Sequence, residues 1–450
     1  MNIKNLQKIL SGKEQRAMRQ REFLTACDCL VSFSLNIPGP VKKSALYDPL
    51  FQEGTDRLAQ ALGNFPGIRI TGISAESDDA GYLCLIRIKG NGESPEETAV
   101  SVKKVTLAVE TETPEGRLFD MDVLFPGNGG DPQKISRSRF ELPRRRCLLC
   151  EKDAFICARS LNHRAAEILI HIVDLILDSE SVWQRIYGGL PGFPEKCAKT
   201  ALRALLLEVI TTPKPGLVDA DNSGAHRDMD ISTFFDSAVA LVPYFGECVQ
   251  KGMELAGKDP AGILPELRPL GLAAEKRMYE ATEGINTHKG AVFTFGIVLC
   301  ALGMLFKEER LPKAEEVLKL SGEICASMEN GSRGIRYEAM NGYPDVRETG
   351  LPVMRSALCS EKKKETRINE AGVQSLLSLI GCVDDANIER RCGAPAAERA
   401  RLLVSENETE ELIARAARLD GIFIKENMSP GGSADLLALS YFFADLEGRL

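Results

Sequence analysis

A chain of 450 residues exceeds one ordinary hydrophobic core, so about two or three domains are expected. Hydrophobic residues make up 44% and charged residues 27%, the balance of a water-soluble globular protein, and no run of about eighteen apolar residues is present to cross a membrane. A net charge of −8 argues against a nucleic-acid or membrane-surface role, and thirteen scattered cysteines suit reduced thiols in a cytoplasm rather than a disulfide framework.

The N-terminal segment is charged and amphipathic, without the apolar core of a signal peptide, and Lys13 to Thr25 reads as a helix. CLVSFSLNIPGPVK, Cys29 to Lys42, alternates as a strand and runs into a Pro-Gly-Pro turn. Lys42 then lies either in an anion-facing loop or at an ordinary strand end. Strand-like runs follow at Ile68–Ile73 and Tyr82–Lys89. Ser94, Pro95 and Glu97 mark a capped helix start, with Val102, Val105 and Val109 on a buried face.

In EGRLFDMDVLF, Glu115 to Phe125, strand alternation puts Asp120 and Asp122 on one face and Phe119, Met121 and Val123 on the other. Such a carboxylate pair can hold Mg²⁺ against a substrate phosphate, as nucleotidyl transfer requires; the plainer reading is the wet face of an edge strand. Downstream, Cys147, Cys150, Cys157 and His163 have the look of a Cys₃His zinc site, against a reading as buried thiols beside a surface histidine.

Composition loosens between Asp178 and Glu195, where a linker is expected near Gly188 to Pro194. Beyond it the strand signal fades and helical periodicity takes over. Helices are expected over Lys199–Ile210, from a Ser232 cap through a kink at Pro243, and over Leu270–Thr282, Gly290–Phe306, Ala314–Met328, Glu370–Leu379, Glu408–Leu419 and Ala434–Leu446.

Between the first two of these lies PKPGLVDADNSGAHRDMD, Pro213 to Asp230. Its prolines and glycines forbid regular structure, and its neighbours are apolar, so an ordered loop is expected. Lys214, Asp219, Asp221, His226, Asp228 and Asp230 make it the densest group of titratable side chains, and such carboxylates repel one another unless a cation sits among them. The alternatives are a solvated acidic loop and a calcium site. Asp219, Asp221, Ser223, Gly224 and Asp230 fall at EF-hand positions one, three, five, six and twelve, but His226 occupies an apolar position and Pro213 and Pro215 break the entering helix. Four further polar loops carry Asn286, His288 and Lys289; Arg333, Arg336 and Glu338; Asp385, Asn387 and Arg391; and Ser433 and Asp435. Together they suit a triphosphate with bound Mg²⁺.

The motifs SFSLNIPGPVK, GRLFDMDV with Ile135 to Arg137 after it, and RRCLLC…CARSLNH make the first half resemble the holo-citrate lyase synthase family, the apo-citrate lyase phosphoribosyl-dephospho-CoA transferases. The resemblance implies a nucleotidyltransferase-like α/β domain in which Asp120 and Asp122 hold Mg²⁺, with Lys42, Arg117 and Arg137 as candidate substrate contacts. It also implies transfer of the prosthetic group to a serine of the citrate lyase acyl carrier protein, with release of pyrophosphate. PKPGLVD, GAHRDMD, NTHKG, GIRYEAMNGYP, the D-A-N-x-x-x-R-x-G run and SPGGSADLLA make the second half resemble the triphosphoribosyl-dephospho-CoA synthase family. That resemblance implies a reaction of ATP with 3′-dephospho-CoA that releases adenine. Asp219, His226, Asp228 and Asp230 are then the catalytic candidates, Asp228 and Asp230 the Mg²⁺ ligands. Lys214, Asn286, His288, Lys289, Arg336, Glu338, Asp385, Asn387, Arg391, Ser433 and Asp435 are the candidate substrate contacts. Tyr337 departs from the expected G-I-R-G-E-A run. The resulting expectation is an α/β transferase domain over residues 1–180, a connection over 181–195 and an all-α domain over 196–450. The rival is a calcium- or zinc-binding regulatory or scaffold protein.

Overall fold

The β-rich runs of the first half form one antiparallel sheet of order β2-β3-β1-β4-β5. Its strands are β1 Cys29–Leu35, β2 Ile68–Asp78, β3 Gly81–Gly90, β4 Phe119–Pro126 and β5 Pro132–Lys134. The helices of this half are α1 Ile3–Leu24, α2 Asp48–Gly63, α3 Pro95–Glu112, α4 Ala154–Ser160, α5 Ala165–Asp178 and α6 Glu180–Ile186. The computed structural model describes residues 3–39, 41–92, 94–127, 131–307, 310–328, 334–406 and 409–450. It divides into two units, Met1–Arg185 and Ile186–Leu450. Arg333 lies outside the described residues, as do Pro40 of the expected turn and Glu408 at the start of an expected helix.

Strand alternation decides what each face of the first sheet carries. Phe33 stacks on Phe51 of α2 at 5.2 Å between centroids and meets Phe119 edge-on at 5.3 Å, forming the dry face. On the opposite face Leu30, Leu85 and Leu124 cluster with Leu24 of α1. There Ser34 pairs with Asp120 and Ser32 with Asp122 across β1 and β4. The Ser94–Glu97 capping box starts α3 as its sequence requires. Helix α2 was not anticipated, although Pro49 stands in its first turn. The chain before β4 opens as a 3₁₀ turn over Pro114–Leu118 rather than as strand from Glu115.

In the second unit every extended element of the described residues is helical, apart from one isolated bridge between Lys307 and Arg310. Its helices are α7 Phe193–Ile210, α8 Ile231–Ala240, α9 Val242–Glu254, α10 Leu264–Ala281, α11 Lys289–Leu305, α12 Ala314–Cys325, α13 Ile335–Met340, α14 Leu351–Ala357, α15 Lys364–Cys382, α16 Ala386–Cys392, α17 Ala394–Ser405, α18 Leu412–Lys425 and α19 Gly431–Leu446. Helix α11 is buried along most of its length and crosses α9 with backbones in near contact, since a Cβ on Gly252 or Gly303 would fall 2.1–2.2 Å from a carbonyl oxygen of the other helix. Two expectations are corrected here. The residue that caps α8 is Asp230, whose carboxylate accepts the N–H groups of Ser232 and Thr233, not Ser232. Pro243 lies in the first turn of a new helix, α9, instead of kinking α8, because there its missing N–H costs no helical bond. Among the described residues no helix is long and apolar enough to cross a membrane.

Candidate active sites

In the first unit, Asp120 and Asp122 are partly exposed between the buried Phe119, Met121 and Val123. Cations stand beside both carboxylates. Lys134 Nζ lies 2.5 Å from Asp122 and Arg145 Nη2 lies 3.5 Å from Asp120. Arg145 is itself held, donating to the Phe119 carbonyl at 2.7 Å and to Glu110 at 2.6 Å. Glu110 also accepts the Met121 N–H at 2.9 Å and Arg137 at 3.0 Å. Lys103 donates to the Met121 carbonyl at 2.6 Å, and burial lowers its proton affinity. Three side chains therefore satisfy the edge of β4 that no strand covers.

The expected substrate contacts of this unit are already anchored. Arg117 donates to the carbonyls of Arg146 and Cys147 at 3.2 and 2.8 Å. Lys42 donates to the Ile37 carbonyl, and burial lowers its pKa. Arg145, Glu110 and Lys103 were missed by the sequence reading. Only the fold shows that the arginine run Arg144 to Arg146 returns to the start of β4.

In the second unit the loop between α7 and α8 is pinned from within. Asp219 is 2% exposed, and its carboxylate accepts the N–H groups of Lys214, Asp221 and Asn222 at 2.8–3.1 Å. Burial still outweighs those donors and pushes its pKa up to about 7. Gly216 and Gly224 both have positive φ, and a Cβ at Gly216 would lie 2.0 Å from the Met428 carbonyl oxygen. Only glycine fits these positions.

Two loops and the last turn of α16 meet around His226. Its Nε2 lies 2.9 Å from the Ser429 hydroxyl and 3.4 Å from Arg391, which also donates to the Ala225 carbonyl and to Asn427. Burial, then the Arg391 charge, lowers the His226 pKa. Asp228 is exposed, as is Asp230, one oxygen of which is occupied by its capping bonds. Among the described residues, the loop aspartates do not form a group of three or more ligand atoms close enough for one ion. That geometry does not support the calcium-loop alternative, which needs the loop carboxylates to converge.

The densest buried polar cluster lies deeper. Lys214, 1% exposed, donates to Glu208 of α7 at 2.5 Å. Asp385 caps α16 through the N–H of Asn387 and also accepts the N–H and hydroxyl of Ser433. Burial raises the pKa of Asp385 and of Asp435, and the charges of Glu208 and Asp385 raise Asp435 further. Glu338 is raised by burial and by the neighbouring carboxyl of Asp345. His288 is 3% exposed, and burial followed by the Lys214 charge lowers its pKa to about 3, so it is neutral. The Thr287 hydroxyl donates to Ser237 Oγ at 2.7 Å, and Ser237 Oγ lies 2.7 Å from His288 Nδ1. The other ring nitrogen, Nε2, is buried without a protein partner. Thr294 Oγ1 and Tyr343 Oη are also buried and face one another. A buried set of donors and acidic carboxyls of this kind is what a polar ligand would complete.

The other expected contacts lie nearer the surface. Asn286 accepts the Lys289 N–H at 3.3 Å, Lys289 pairs with Glu275 at 3.0 Å, Asn387 accepts from Arg390 at 2.7 Å, and Arg336 is exposed. Tyr337, the departure from the expected motif, is 46% exposed. Glu208, Tyr343 and Asp345 were not anticipated. The acid in the apolar run LLLEVI was the available signal for Glu208.

Each unit carries a polar centre of its own. Residues 4–179 match the family model described as apo-citrate lyase phosphoribosyl-dephospho-CoA transferase, and residues 194–322 and 312–450 match the one described as ATP:dephospho-CoA triphosphoribosyl transferase. The Protein CitXG of Haemophilus influenzae is 32% identical, with 99% of this chain and 97% of that protein covered. Protein CitXG of Leuconostoc mesenteroides subsp. cremoris is 30% identical, with 99% and 98% covered. The 2-(5''-triphosphoribosyl)-3'-dephosphocoenzyme-A synthase of Haemophilus ducreyi is 36% identical over 66% of this chain and 99% of its own. The chain belongs to the CitXG family, in which both transferase families are joined, and is a bifunctional transferase of citrate lyase prosthetic-group biosynthesis.

Proposed function

We propose that the second unit makes the prosthetic-group precursor at its buried acidic cluster and that the first unit attaches it to the citrate lyase acyl carrier protein along the Asp120–Asp122 face. The observation that carries this reading is the buried, unpartnered Nε2 of His288 beside raised carboxyls around Lys214. In the second unit the 2′-hydroxyl oxygen of 3′-dephospho-CoA bonds to C1′ of the ATP ribose as the bond from C1′ to adenine breaks. Adenine leaves with the bonding electrons, and the hydroxyl proton passes to a carboxylate. Positive charge develops at C1′, and Asp385 and Asp435 offset it in their ionised forms. His288 presents its Nε2 to substrate, and Asn286, Asn387, Ser433 and Glu338 add polar contacts. Lys289, Arg336 and Arg391 face the triphosphate charge, while Lys214 and Glu208 position the cluster from beneath. Asp219 shapes the loop, and His226 with Asp228 forms its outward end.

In the first unit, a nucleotidyltransferase-like α/β domain on this reading, the carrier serine oxygen attacks the α-phosphorus and pyrophosphate departs. Arg145 and Lys134 screen the reacting phosphates, with Lys42, Arg117 and Arg137 framing the site. The half-exposed pair Asp120 and Asp122 fits Mg²⁺, which takes one or two carboxylates and completes its shell with water and phosphate. In the second unit Asp228, with Asp230 beside it, is the carboxylate open to such an ion. Bound there, Mg²⁺ would neutralise phosphate charge.

Incubation with ATP, 3′-dephospho-CoA and Mg²⁺ is expected to release free adenine, measured by chromatography. EDTA should abolish the release and EGTA at equal concentration should spare it. No adenine with both substrates present would sink the reading.

Gly290 offers a sharper probe. A Cβ there would lie 1.9 Å from an Asp435 carboxylate oxygen, so Gly290→Ala must displace that carboxylate. Alanine is the better helix residue, so unfolding should show no loss beyond about 1 kcal/mol. Adenine release should nevertheless fall by roughly 10²-fold, the scale of an ångström misplacement in a reacting centre. An unchanged rate would remove Asp435 from that centre.

A further inference from the structure

We propose that Cys147, Cys150, Cys157 and His163 of the first unit bind one structural zinc ion. Their four ligand atoms, three thiol sulfurs and one imidazole nitrogen, all lie within 4.8 Å of one another. Two of the separations are 3.5 Å between the sulfurs of Cys150 and Cys157 and 3.4 Å from His163 Nε2 to Cys150 Sγ. A tetrahedral zinc with sulfur at about 2.3 Å spaces its ligands by about 3.8 Å, so the four groups stand where a closed Cys₃His shell needs them. Thiolate and imidazole ligands select zinc over the harder magnesium and calcium ions.

The backbone is arranged for this convergence. The Cys147 N–H bonds the Lys152 carbonyl at 2.8 Å, closing the turn that carries the Cys-x-x-Cys pair. Helix α4 supplies Cys157 and then stops. Leu161, in the left-handed conformation and 85% exposed, turns the chain so that His163 comes back over Cys150. A leucine held outward in that conformation gains nothing from burial, which points to the return of His163 as the reason for the turn.

The site also has a purpose within the fold. Arg117, two residues before β4, donates to the Arg146 and Cys147 carbonyls. Arg145, two residues before Cys147, reaches the Phe119 carbonyl, Glu110 and Asp120. The ion would therefore staple the 145–163 segment to the start of the Asp-x-Asp strand and fix Arg145 as a positioning residue.

Elemental analysis of the full chain, produced in zinc-supplemented medium and purified without chelator, should find about one zinc per chain. Cys150→Ser and Cys157→Ser should each lose it, whereas Cys359→Ser, an exposed cysteine of the second unit, should keep it. Because losing a structural ion can unfold the first two variants, the intact chain exchanged with Co²⁺ is the second measurement. It should show thiolate-to-cobalt charge transfer in the near ultraviolet and the intense visible bands of a tetrahedral site. Absence of those bands in the intact chain, zinc retained in both serine variants, or a Cys150–Cys157 disulfide without metal would each overturn the proposal.

Discussion

Replacing Lys214 by alanine is expected to destabilise the second unit by about 3–5 kcal/mol and to eliminate adenine release, while transfer of pre-formed precursor to the carrier protein continues. Lys214 and Glu208 retain only 2% and 6% of their side-chain exposure, so removing the ammonium strands a carboxylate where water cannot reach it. The cost is that of an uncompensated buried charge, not of the pair itself. The double replacement Lys214→Met with Glu208→Leu tests this distinction. It should recover most of the lost stability in denaturant unfolding, because neither charge is left behind. It should not recover adenine release, since the cluster around Asp435 would lose the groups that shape it. The same double variant removes the second of the two causes that hold the His288 pKa down, so NMR titration should find that value raised from about 3. Full activity in the double variant would make the pair merely structural.

The second large effect is expected at Asp120. Asp120→Asn should lower carrier loading by roughly 10²–10³-fold, the scale of removing one electrostatic stabiliser from a reacting centre. Its stability cost should stay within about 1 kcal/mol, because both Asp120 and its Arg145 neighbour are partly exposed and 3.5 Å apart. Asp122→Asn should behave alike, and raised Mg²⁺ should rescue both variants in part if the loss is one of metal affinity. A fall in melting temperature parallel to the fall in loading would point instead to a damaged sheet.

The parts of this arrangement that were legible in the chain are those set by local rules. Strand alternation alone put Asp120 and Asp122 on one face. Ser94, Pro95 and Glu97 announced α3, and the prolines and glycines of residues 213–230 announced an ordered loop. What local rules leave undecided was misread or missed. Asp230 and Ser232 are both good caps two residues apart, and tertiary packing selects the first. In the same loop the carboxylates looked equivalent, yet Asp219 is turned inward onto its own backbone and Asp228 outward to solvent. Helix α2 was overlooked because its apolar residues are interrupted by glutamate, aspartate and glutamine, and only packing against Phe33 explains its buried Phe51. Glu208 was hidden in an apolar helical stripe, where periodicity records a face but not a charge buried on it. Arg145 reaches Asp120 across twenty-five residues of sequence, a contact that only the fold can create.

The claim that joins these observations is a division of labour, with one site per unit. It is tested most directly by following adenine and carrier mass in a single reaction. The mixture contains ATP, 3′-dephospho-CoA, Mg²⁺ and the citrate lyase acyl carrier protein, with either the unaltered chain or Asp120→Asn. Both chains are predicted to release adenine at the same rate, and only the unaltered chain to add the prosthetic-group mass to the carrier at full rate. An Asp120→Asn chain that releases no adenine, or that loads the carrier as fast as the unaltered chain, would contradict the account.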